Sequence, residues 1–351
     1  MDWHASGITN SYEFELLDRS LNHTGWLDNV VGGSIVQSYR GDYRVTASLD
    51  LDGQIPSISG YVRIWHVATL GGETVRTCLA TLVPELPGME YRLGRWTGSL
   101  DLYSAMKKLD TSLRPKDGGI GSGKNLSSFW KTLVTDAGAQ ALILGGISTT
   151  AVSTKAFVFG FGDPVLSNVH VIADALGGYV EVDPQGRVCL AKYVLPSKRG
   201  VSWSLTSGPE SIMLVGVERE EPDMVNRVVA RYEDANGKVI YADSMLAASH
   251  PWSWQNTHRK VTEAIEPESP TGSGSTWLKS YADKQLAALS STKSRYEVVT
   301  LFDPSIKPGT VGKVAYADSP DDGGLSFKAF CSQREIQLDA AMTTTLTLEE
   351  L

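Results

Sequence analysis

Apolar and polar residues alternate along much of the first hundred residues, where β-branched and aromatic side chains are frequent. The clearest runs are Tyr43–Leu51, Tyr61–Val67 and Thr74–Val83, and glycine-rich punctuation such as Gly71-Gly72 separates them. Alternation with a period of two, bounded by turn residues, is typical of strands with one buried face. The N-terminal part of the chain therefore predicts a small antiparallel barrel or sandwich.

Beyond residue 100 the apolar spacing changes to that of a helix. Leu102, Met106, Leu109 and Leu113 recur at intervals of four, three and four, and Ser99 stands where the helix would be capped. Residues at these intervals lie on one face of an α-helix, and serine is a favoured N-cap. The sequence therefore predicts a helix from about Ser99 to Leu113.

The next segment carries the pattern of a compact α/β module. A polar, glycine-rich stretch at 114–123 predicts a loop and a domain boundary. A second helix is predicted to end at Gly138, and a third to run from Asp163-Pro164, as cap and first-turn proline, to Gly177-Gly178. The residues predicted to form the buried faces of these two helices are Leu126, Phe129, Trp130, Leu133 and Val134, followed by Leu166, Val169, Ala173 and Leu176.

A hairpin completes the α/β module, and strand patterns return from about residue 201. A hairpin is predicted at 179–193, and a second joins Val225–Tyr232 to Lys238–Ala242 across Asn236-Gly237, a dipeptide suited to a tight turn. A flexible loop is expected at Pro267–Ser275 because glycine, serine and proline dominate it.

One further helix is predicted in the last third, at Trp277–Leu289. Its buried side is expected to contain Leu278, Ala282, Gln285 or Leu286, and Leu289. The remaining runs that predict strands are Tyr296–Phe302, Thr310–Tyr316, Ser326–Leu338 and Thr343–Leu348.

The order of these patterns predicts a mainly β fold with inserted α/β elements, an α+β arrangement. We assign a first barrel-like domain to 1–113 and an α/β module to 114–200. A second barrel-like domain is assigned to 201–351, with a helix-containing insertion at about 245–292.

The acidic balance of the chain limits its function. The 351 residues carry a formal net charge of −8, with 42% hydrophobic and 21% charged residues, the balance of a soluble globular protein of two or three domains. Nucleic-acid binding needs clustered Lys and Arg, and the closest approaches are Lys107-Lys108 and Lys198-Arg199. The sequence therefore argues against a nucleic-acid-binding role.

Two segments bear on targeting and membranes. The N-terminal Met1–His4 lacks the basic and apolar regions of a signal peptide. Ala137–Thr154 holds eighteen residues without a charge, but Gly145-Gly146 and several hydroxyl residues interrupt it. This segment predicts a helix end, a turn and a strand, and we expect no membrane span.

The three cysteines, Cys78, Cys189 and Cys331, share no CxxC spacing. Each lies in an apolar or alternating run, so we expect buried free thiols and neither a metal site nor a disulfide framework. Free thiols suit assembly in a reducing cytoplasm.

The glycine-rich stretch Gly118–Lys124 satisfies the spacing of a phosphate-binding loop. However, Asn125 stands where a Mg²⁺-binding Ser or Thr is needed, and no apolar strand precedes the glycines. A connecting loop is the favoured interpretation.

The other residue types that support catalysis occur without a recognisable pattern. The six histidines form no HExxH pair; His170 lies in the third predicted helix, and His250 and His258 flank a Trp-rich loop. Asp50 and Asp52 could be paired carboxylates of a glycosidase, but a turn at the end of a strand is the favoured interpretation. No GxSxG elbow is present. We therefore expect no catalytic, cofactor or metal site, and no enzyme.

The ordered elements together resemble the baseplate hub family, or minor tail proteins, of tailed bacteriophages, in particular long-tailed phages of actinobacterial hosts. The resemblance covers most of the chain but depends on order and spacing, since no single motif is specific. The elements that carry it are Tyr61–Val67, Leu79–Val83, the helix predicted at Ser99–Leu113, Gly178–Val188, Val225–Val229, Trp277–Leu289 and Pro308-Gly309.

The resemblance implies a structural virion protein at the tail tip, assembled in the host cytoplasm. Hub proteins form homotrimers in which each chain supplies two domains similar to the tail-tube subunit, so that six such domains adapt a six-fold tube to three-fold tip components. The implied partners are the tail-tube or distal tail protein, the tape-measure protein and receptor-binding tip proteins. Genomic DNA would pass through the lumen without specific binding.

Two further points stay open at the level of sequence. Acidic residues lining the lumen would repel DNA phosphates, whereas acidity spread over the exterior would only favour solubility. The alternative function is a β-domain protein that binds or cleaves glycans of the host cell wall, because nine tryptophans and thirteen tyrosines could line a groove. Residues of a partner interface are not assigned.

Overall fold

The computed structural model divides the chain into two compact units. One comprises Met1–Gly216 with Tyr296–Leu351, and the other is Val217–Arg295. Strands predominate over helices, so the predicted β-rich fold with helical elements is confirmed. The residues that the structure describes are 7–53, 58, 60–85, 88–92, 94–153, 156–206, 212–218, 225–233, 238–250, 252–267, 274–290, 295–316, 325–339 and 343–351.

The first hundred residues of the larger unit form antiparallel strands. These are β1 (Thr9–Leu17), β2 (His23–Trp26), β3 (Val30–Ser38), β4 (Val45–Asp52), β5 (Tyr61–Leu70), β6 (Glu73–Pro84), β7 (Gly88–Arg92) and β8 (Arg95–Tyr103). They pair in the order β3-β4-β8-β6-β5-β1-β2, and β7 is attached to β8. In β4, Ala47, Leu49 and Leu51 are buried while Ser48 and Asp50 are exposed. The period of two seen in the sequence therefore separates the core face from the solvent face.

The first helix begins later than predicted. Ser99 and Leu102 lie in β8, and α1 is Met106–Thr111. Leu100 and Leu102 are buried and alternate with exposed Ser99 and Asp101, and this stretch of β8 pairs with β4. Leu102 fits both a strand and a helix pattern, and the strand is formed because β4 satisfies its backbone hydrogen bonds.

The α/β module follows. Its further elements are β9 (Gly118–Ile120), α2 (Leu126–Asp136), β10 (Ala141–Ile143), β11 (Phe157–Phe159), α3 (Val165–Ala175), β12 (Gly178–Val182) and β13 (Val188–Lys192). The predicted hairpin is confirmed as β12 and β13, and β10 lies parallel to β13. The predicted helix faces are also confirmed, with Trp130, Val134 and Val169 fully buried in the core of the module.

Three local predictions in the module or at its boundary are wrong. Gly118–Ile120 is a strand paired with Phe157–Phe159, within a stretch expected to be a loop. The N-cap of α3 is Pro164, and Asp163 instead accepts a hydrogen bond from the Gly160 backbone at 2.6 Å. Leu113, expected on the first helix, lies beyond the helix end and pairs with Pro164.

The smaller unit is a three-stranded sheet covered by a helix. The chain reaches it through β14 (Val201–Thr206) and β15 (Ile212–Glu218), and its elements are β16 (Arg227–Glu233), β17 (Val239–Met245), α4 (Trp254–Thr257), β18 (Thr262–Ile265) and α5 (Ser275–Leu289). β16 and β17 form the predicted hairpin, and Leu278, Ala282 and Leu286 of α5 pack on its buried face. The turn at Asn236-Gly237 and most of the loop expected at Pro267–Ser275 lie outside the described residues.

The C-terminal strands return to the larger unit. They are β19 (Arg295–Leu301), β20 (Val311–Tyr316), β21 (Leu325–Gln337) and β22 (Thr343–Glu350). β21 pairs with β20 and β22, and its C-terminal part also pairs with β3 in a register that sets Gln333 opposite Ser38. The N-terminal and C-terminal strands thus share one sheet. Its strand order among the described residues is an open path, and the two predicted barrels and their boundaries stay predictions.

Candidate functional site

The glycine-rich stretch singled out by sequence has a structural role. Asn125 caps α2: its side-chain oxygen accepts a hydrogen bond from the Ser128 backbone at 2.8 Å, and its amide donates to the Thr149 carbonyl at 2.8 Å. Gly119 lies so close to β11 that a Cβ there would stand 1.8 Å from the Phe157 carbonyl oxygen. The glycine permits strand pairing, and Asn125 completes a helix cap.

The other candidate residues are dispersed. Asp52 forms a two-bond ion pair with Arg95, while Asp50 projects from the exposed face of β4. His250 accepts a hydrogen bond from the Trp252 backbone at 3.2 Å, and His258 adopts a left-handed conformation at the end of α4. Among the residues that the structure describes, no three His, Cys, Asp or Glu side chains are grouped to hold a metal ion.

The cysteines are free thiols in the structure. Cys189 and Cys331 are buried, as predicted, and Cys78 is half-buried. Burial raises the pKa of the Cys189 and Cys331 thiols to about 12 and that of Cys78 to about 11. All three are therefore protonated at neutral pH and are poor nucleophiles.

A buried arginine lies where β21 meets β3. Arg334 is 3% exposed, and its guanidinium donates to the Gln37 side-chain oxygen at 2.5 and 3.0 Å and to the Ile306 carbonyl at 2.6 Å. The amide of Gln37 in turn donates to the Leu79 carbonyl of β6 at 3.1 Å. Desolvation lowers the pKa of Arg334 to about 10, so the group stays charged at neutral pH. These bonds tie β21, β3 and β6 together.

A second arginine joins the module to the same part of the larger unit. Arg199 donates to the Tyr39 hydroxyl at 2.8 Å and to the Gly309 carbonyl, and its guanidinium lies over the Tyr39 ring, 5.0 Å from the ring centre. The Tyr39 ring contacts Tyr179 of β12 and Phe330 of β21, with ring centres 5.4 and 5.1 Å apart. Aromatic and cation–π contacts of this kind each contribute on the order of 1 kcal/mol. Tyr39 therefore contacts both the α/β module and the C-terminal strands.

The turn of the module hairpin closes this region from the other side. The Thr81 hydroxyl and the Cys78 thiol of β6 both donate to the Pro184 carbonyl, at 2.8 and 3.2 Å. Between the turn, β3, β6 and the segment 302–308 remains a cavity of about 290 Å³, with Arg44, Glu181 and Arg334 in its wall. We name the set Gln37, Tyr39, Arg199 and Arg334 the seam, because it joins the elements of the larger unit.

Sequence reasoning did not identify the seam. A lone Arg or Gln in an alternating strand looks like a solvent-facing residue, and only the distant strand pairing of β21 with β3 buries Arg334. Gly309, with a φ of +88°, precedes β20, and a Cβ there would meet the Tyr39 ring at 2.9 Å. That glycine was the one local signal of close packing.

No helix in the described part of the chain is long and apolar enough to span a membrane.

Comparison with known proteins gives matches in structure alone. No protein-family model matches this sequence. No curated protein matches it either. The tail protein from Neisseria meningitidis MC58 is 13% identical, with 97% of each chain covered and a TM-score of 0.69. The 43 kDa tail protein of prophage MuSo2 from Shewanella oneidensis is 12% identical, with 96% of this chain and 97% of that chain covered and a TM-score of 0.64.

A third match is the prophage tail protein gp18 from Listeria monocytogenes EGD-e. It is 10% identical, with 97% of this chain and 94% of that chain covered and a TM-score of 0.54. At such identities the likeness shows a shared fold, and this chain has the fold of these three tail proteins. None of the three organisms is an actinobacterium, so the comparisons do not support that host class.

Proposed function

We propose that this protein is a structural component of a bacteriophage-type tail, and that it forms the hub at the tail tip. The observation that carries the proposal is the fold shared with tail proteins over nearly the whole chain at a TM-score of up to 0.69. The dispersed candidate residues and the protonated thiols favour a structural role over an enzymatic one. On this proposal the protein is located in the virion tail.

The hub arrangement requires two similar β-domains in each chain. We assign them, as predicted from the sequence, to 1–113 and 201–351, separated by the α/β module at 114–200. Three chains would then present six β-domains to a six-fold tube and a three-fold face to the tip. Closed rings with cyclic symmetry are the usual form of homo-oligomers, which makes a trimer an economical adaptor.

The seam supports this role because an adaptor has to keep its β-domains in fixed register. β21 pairs with β3, and Arg334 bonds to Gln37 across the same junction. A buried charge with several hydrogen bonds is costly to leave without partners, so the junction resists partial opening. The β-domains would then keep their relative positions while the neighbouring tail proteins bind.

The acidic balance gains a role in the same proposal. DNA leaving the capsid would pass through the ring, and negative side chains lining the lumen would repel its phosphates over about one Debye length, roughly 8 Å at physiological salt. A ring of Lys or Arg facing the lumen of the assembled trimer would contradict this part of the proposal.

The experiment that tests the hub is native mass spectrometry of the purified protein, alone and with the tail-tube or distal tail protein of the same phage. We expect a species of three times the chain mass of 38.0 kDa, alone or on addition of the partner. Electron cryo-microscopy of that species should show a ring in which two β-domains per chain superpose. A dimer would contradict the proposal, and so would a chain that stays monomeric and does not bind the added tail protein.

A further inference from the structure

The outward face of the first N-terminal strands carries aromatic and charged side chains that contact one another. Strands β6, β5, β1 and β2 lie side by side, and their register sets Glu15 opposite both Trp26 and Arg63, and Glu13 opposite Trp65. The alternate residues of the same strands, such as Phe14 and Ile64, are buried in the core on the other side. We name the outward set Glu13, Glu15, His23, Trp26, Arg63, Trp65 and Arg76 the Trp26 face.

Aromatic rings and a guanidinium alternate across this face. The Arg76 guanidinium lies 4.7 Å from the centre of the Trp65 ring and 5.8 Å from that of Trp26. The His23 ring is 5.1 Å from the Trp26 ring. Trp26 is 42% exposed, and among the described residues of these four strands no other large hydrophobic residue is as exposed.

The charges on the face are held in place by one another. Arg76 pairs with Glu13, and Arg63 lies 3.6 Å from Glu15. Glu15 also accepts a hydrogen bond from the Trp65 indole at 2.8 Å, and its other oxygen lies 3.1 Å from Nδ1 of His23. The two carboxylates and two guanidinium groups cancel in charge, and the groups are fixed before any ligand arrives.

This chemistry suits an uncharged ligand rich in hydroxyl groups. Carboxylate and guanidinium side by side offer an acceptor next to a donor, which matches the vicinal hydroxyls of a sugar ring. An exposed indole offers an apolar surface to the C–H face of the same ring. A charged partner would find no net charge here, and a stable protein interface would need a larger apolar centre than one tryptophan.

We propose that the Trp26 face is a binding site for a neutral oligosaccharide built of pyranose rings. Trp26 supports one ring by stacking, and Glu13 and Arg76 bond to its hydroxyls through their outer atoms. Glu15 is the shared partner of Trp65, His23 and Arg63, and these contacts fix the four side chains beneath the bound sugar. The site is independent of the proposed role in the tail, since it needs neither a trimer nor a partner protein.

The test is binding of the purified full chain to a panel of neutral tetrasaccharides of glucose, galactose, mannose and N-acetylglucosamine, followed by titration calorimetry of those that bind. We expect binding to at least one tetrasaccharide, with quenching or shift of tryptophan fluorescence. Trp26→Ala should weaken that binding about tenfold or more, because stacking and burial of an indole are lost. Glu13→Gln should weaken it several-fold.

Matched controls lie on the same unit but off the face. Trp96, which is 39% exposed on the β7–β8 hairpin, controls for loss of an exposed tryptophan, and Glu85, paired with Lys107, controls for loss of a surface charge. Trp96→Ala and Glu85→Gln should leave binding unchanged. No binding across the panel, or equal weakening by the control variants, would overturn the proposal. A change of oligomeric mass in Trp26→Ala, without any effect on sugar binding, would assign the face to contact between copies instead.

Discussion

The side-chain oxygen of Gln37 accepts hydrogen bonds from two nitrogens of the buried Arg334, although 297 positions separate the two residues in sequence. The contact crosses the pairing of β3 with β21, the place where the two ends of the chain meet in one sheet. It therefore couples the N-terminal and C-terminal strands through a charge that is almost fully buried.

The losses of stability on removing the two members of this pair should not be additive. Gln37→Leu removes the acceptor of two hydrogen bonds from a buried guanidinium, which keeps the Ile306 carbonyl, and should lower the free energy of unfolding by roughly 2–3 kcal/mol. Arg334→Met leaves only neutral acceptors unbonded and should cost about 1–3 kcal/mol. In urea unfolding, the double variant should lose clearly less than the two single losses combined.

The control for this cycle is Arg40→Met. Arg40 pairs with Glu349 on the surface at 3.1 Å, and its side chain is largely exposed, so its loss should be small, within about 0.5 kcal/mol. Strict additivity of Gln37→Leu and Arg334→Met would mean that the two side chains act independently.

Gly119 should be intolerant of a methyl group, unlike a glycine two positions away. A Cβ at Gly119 would stand 1.8 Å from the Phe157 carbonyl oxygen, whereas one at Gly121 meets nothing within 4 Å. Gly119→Ala should therefore force β9 and β11 apart and lower the thermal unfolding midpoint by several degrees. Gly121→Ala should change it little or raise it slightly. Equal midpoints for the two variants would show that the pairing tolerates the displacement.

Local patterns in the sequence predicted most elements correctly where one pattern dominated. The helix with Trp130 and Val134 on one side and the hairpin at 179–193 rest on short-range periodicity and on glycine stops, and the structure reproduces them. The errors fall where two patterns overlap. Leu102 fits a helix with Met106 and a strand with Leu100, and only pairing with β4 decides between them.

The seam could not be predicted in the same way. Arg334 occupies an ordinary position of an alternating strand, and Tyr39 directly follows the end of β3. Their contacts join segments 297 and 160 positions apart in sequence. The Trp26 face is likewise made by four strands whose register no local pattern specifies. Sequence spacing detects motifs along the chain, whereas these sets exist only across strands.

The cysteine thiols should react slowly or not at all with thiol reagents in the folded protein. Cys189 and Cys331 are buried, and burial raises the pKa of both thiols to about 12, so the thiolate is scarce at neutral pH. With a chromogenic disulfide reagent at pH 7.5, these two should not react, and half-buried Cys78 should react slowly. Unfolding in guanidinium should release all three thiols. Rapid reaction of more than one thiol in the native protein would contradict their burial.

His66 should make folding stability depend on pH. Its ring is fully buried beside Phe302, 4.9 Å between ring centres, with Nε2 3.0 Å from the Asn10 side-chain oxygen, and burial lowers its pKa from the usual 6.5 to about 4. Because the folded-state pKa is the lower one, the unfolded chain binds the proton first as pH falls. The stability is therefore complete above about pH 6.5 and is lost progressively towards pH 4, with a slope of up to about 1.4 kcal/mol per pH unit from this group.

Urea unfolding between pH 7 and 5 measures the slope. In His66→Gln, unfolding should take up nearly one proton fewer, so the slope should fall by up to about 1.4 kcal/mol per pH unit. This holds whatever stability the variant loses at pH 7. An unchanged slope in His66→Gln would mean that this histidine is already protonated, or accessible to water, in the folded protein.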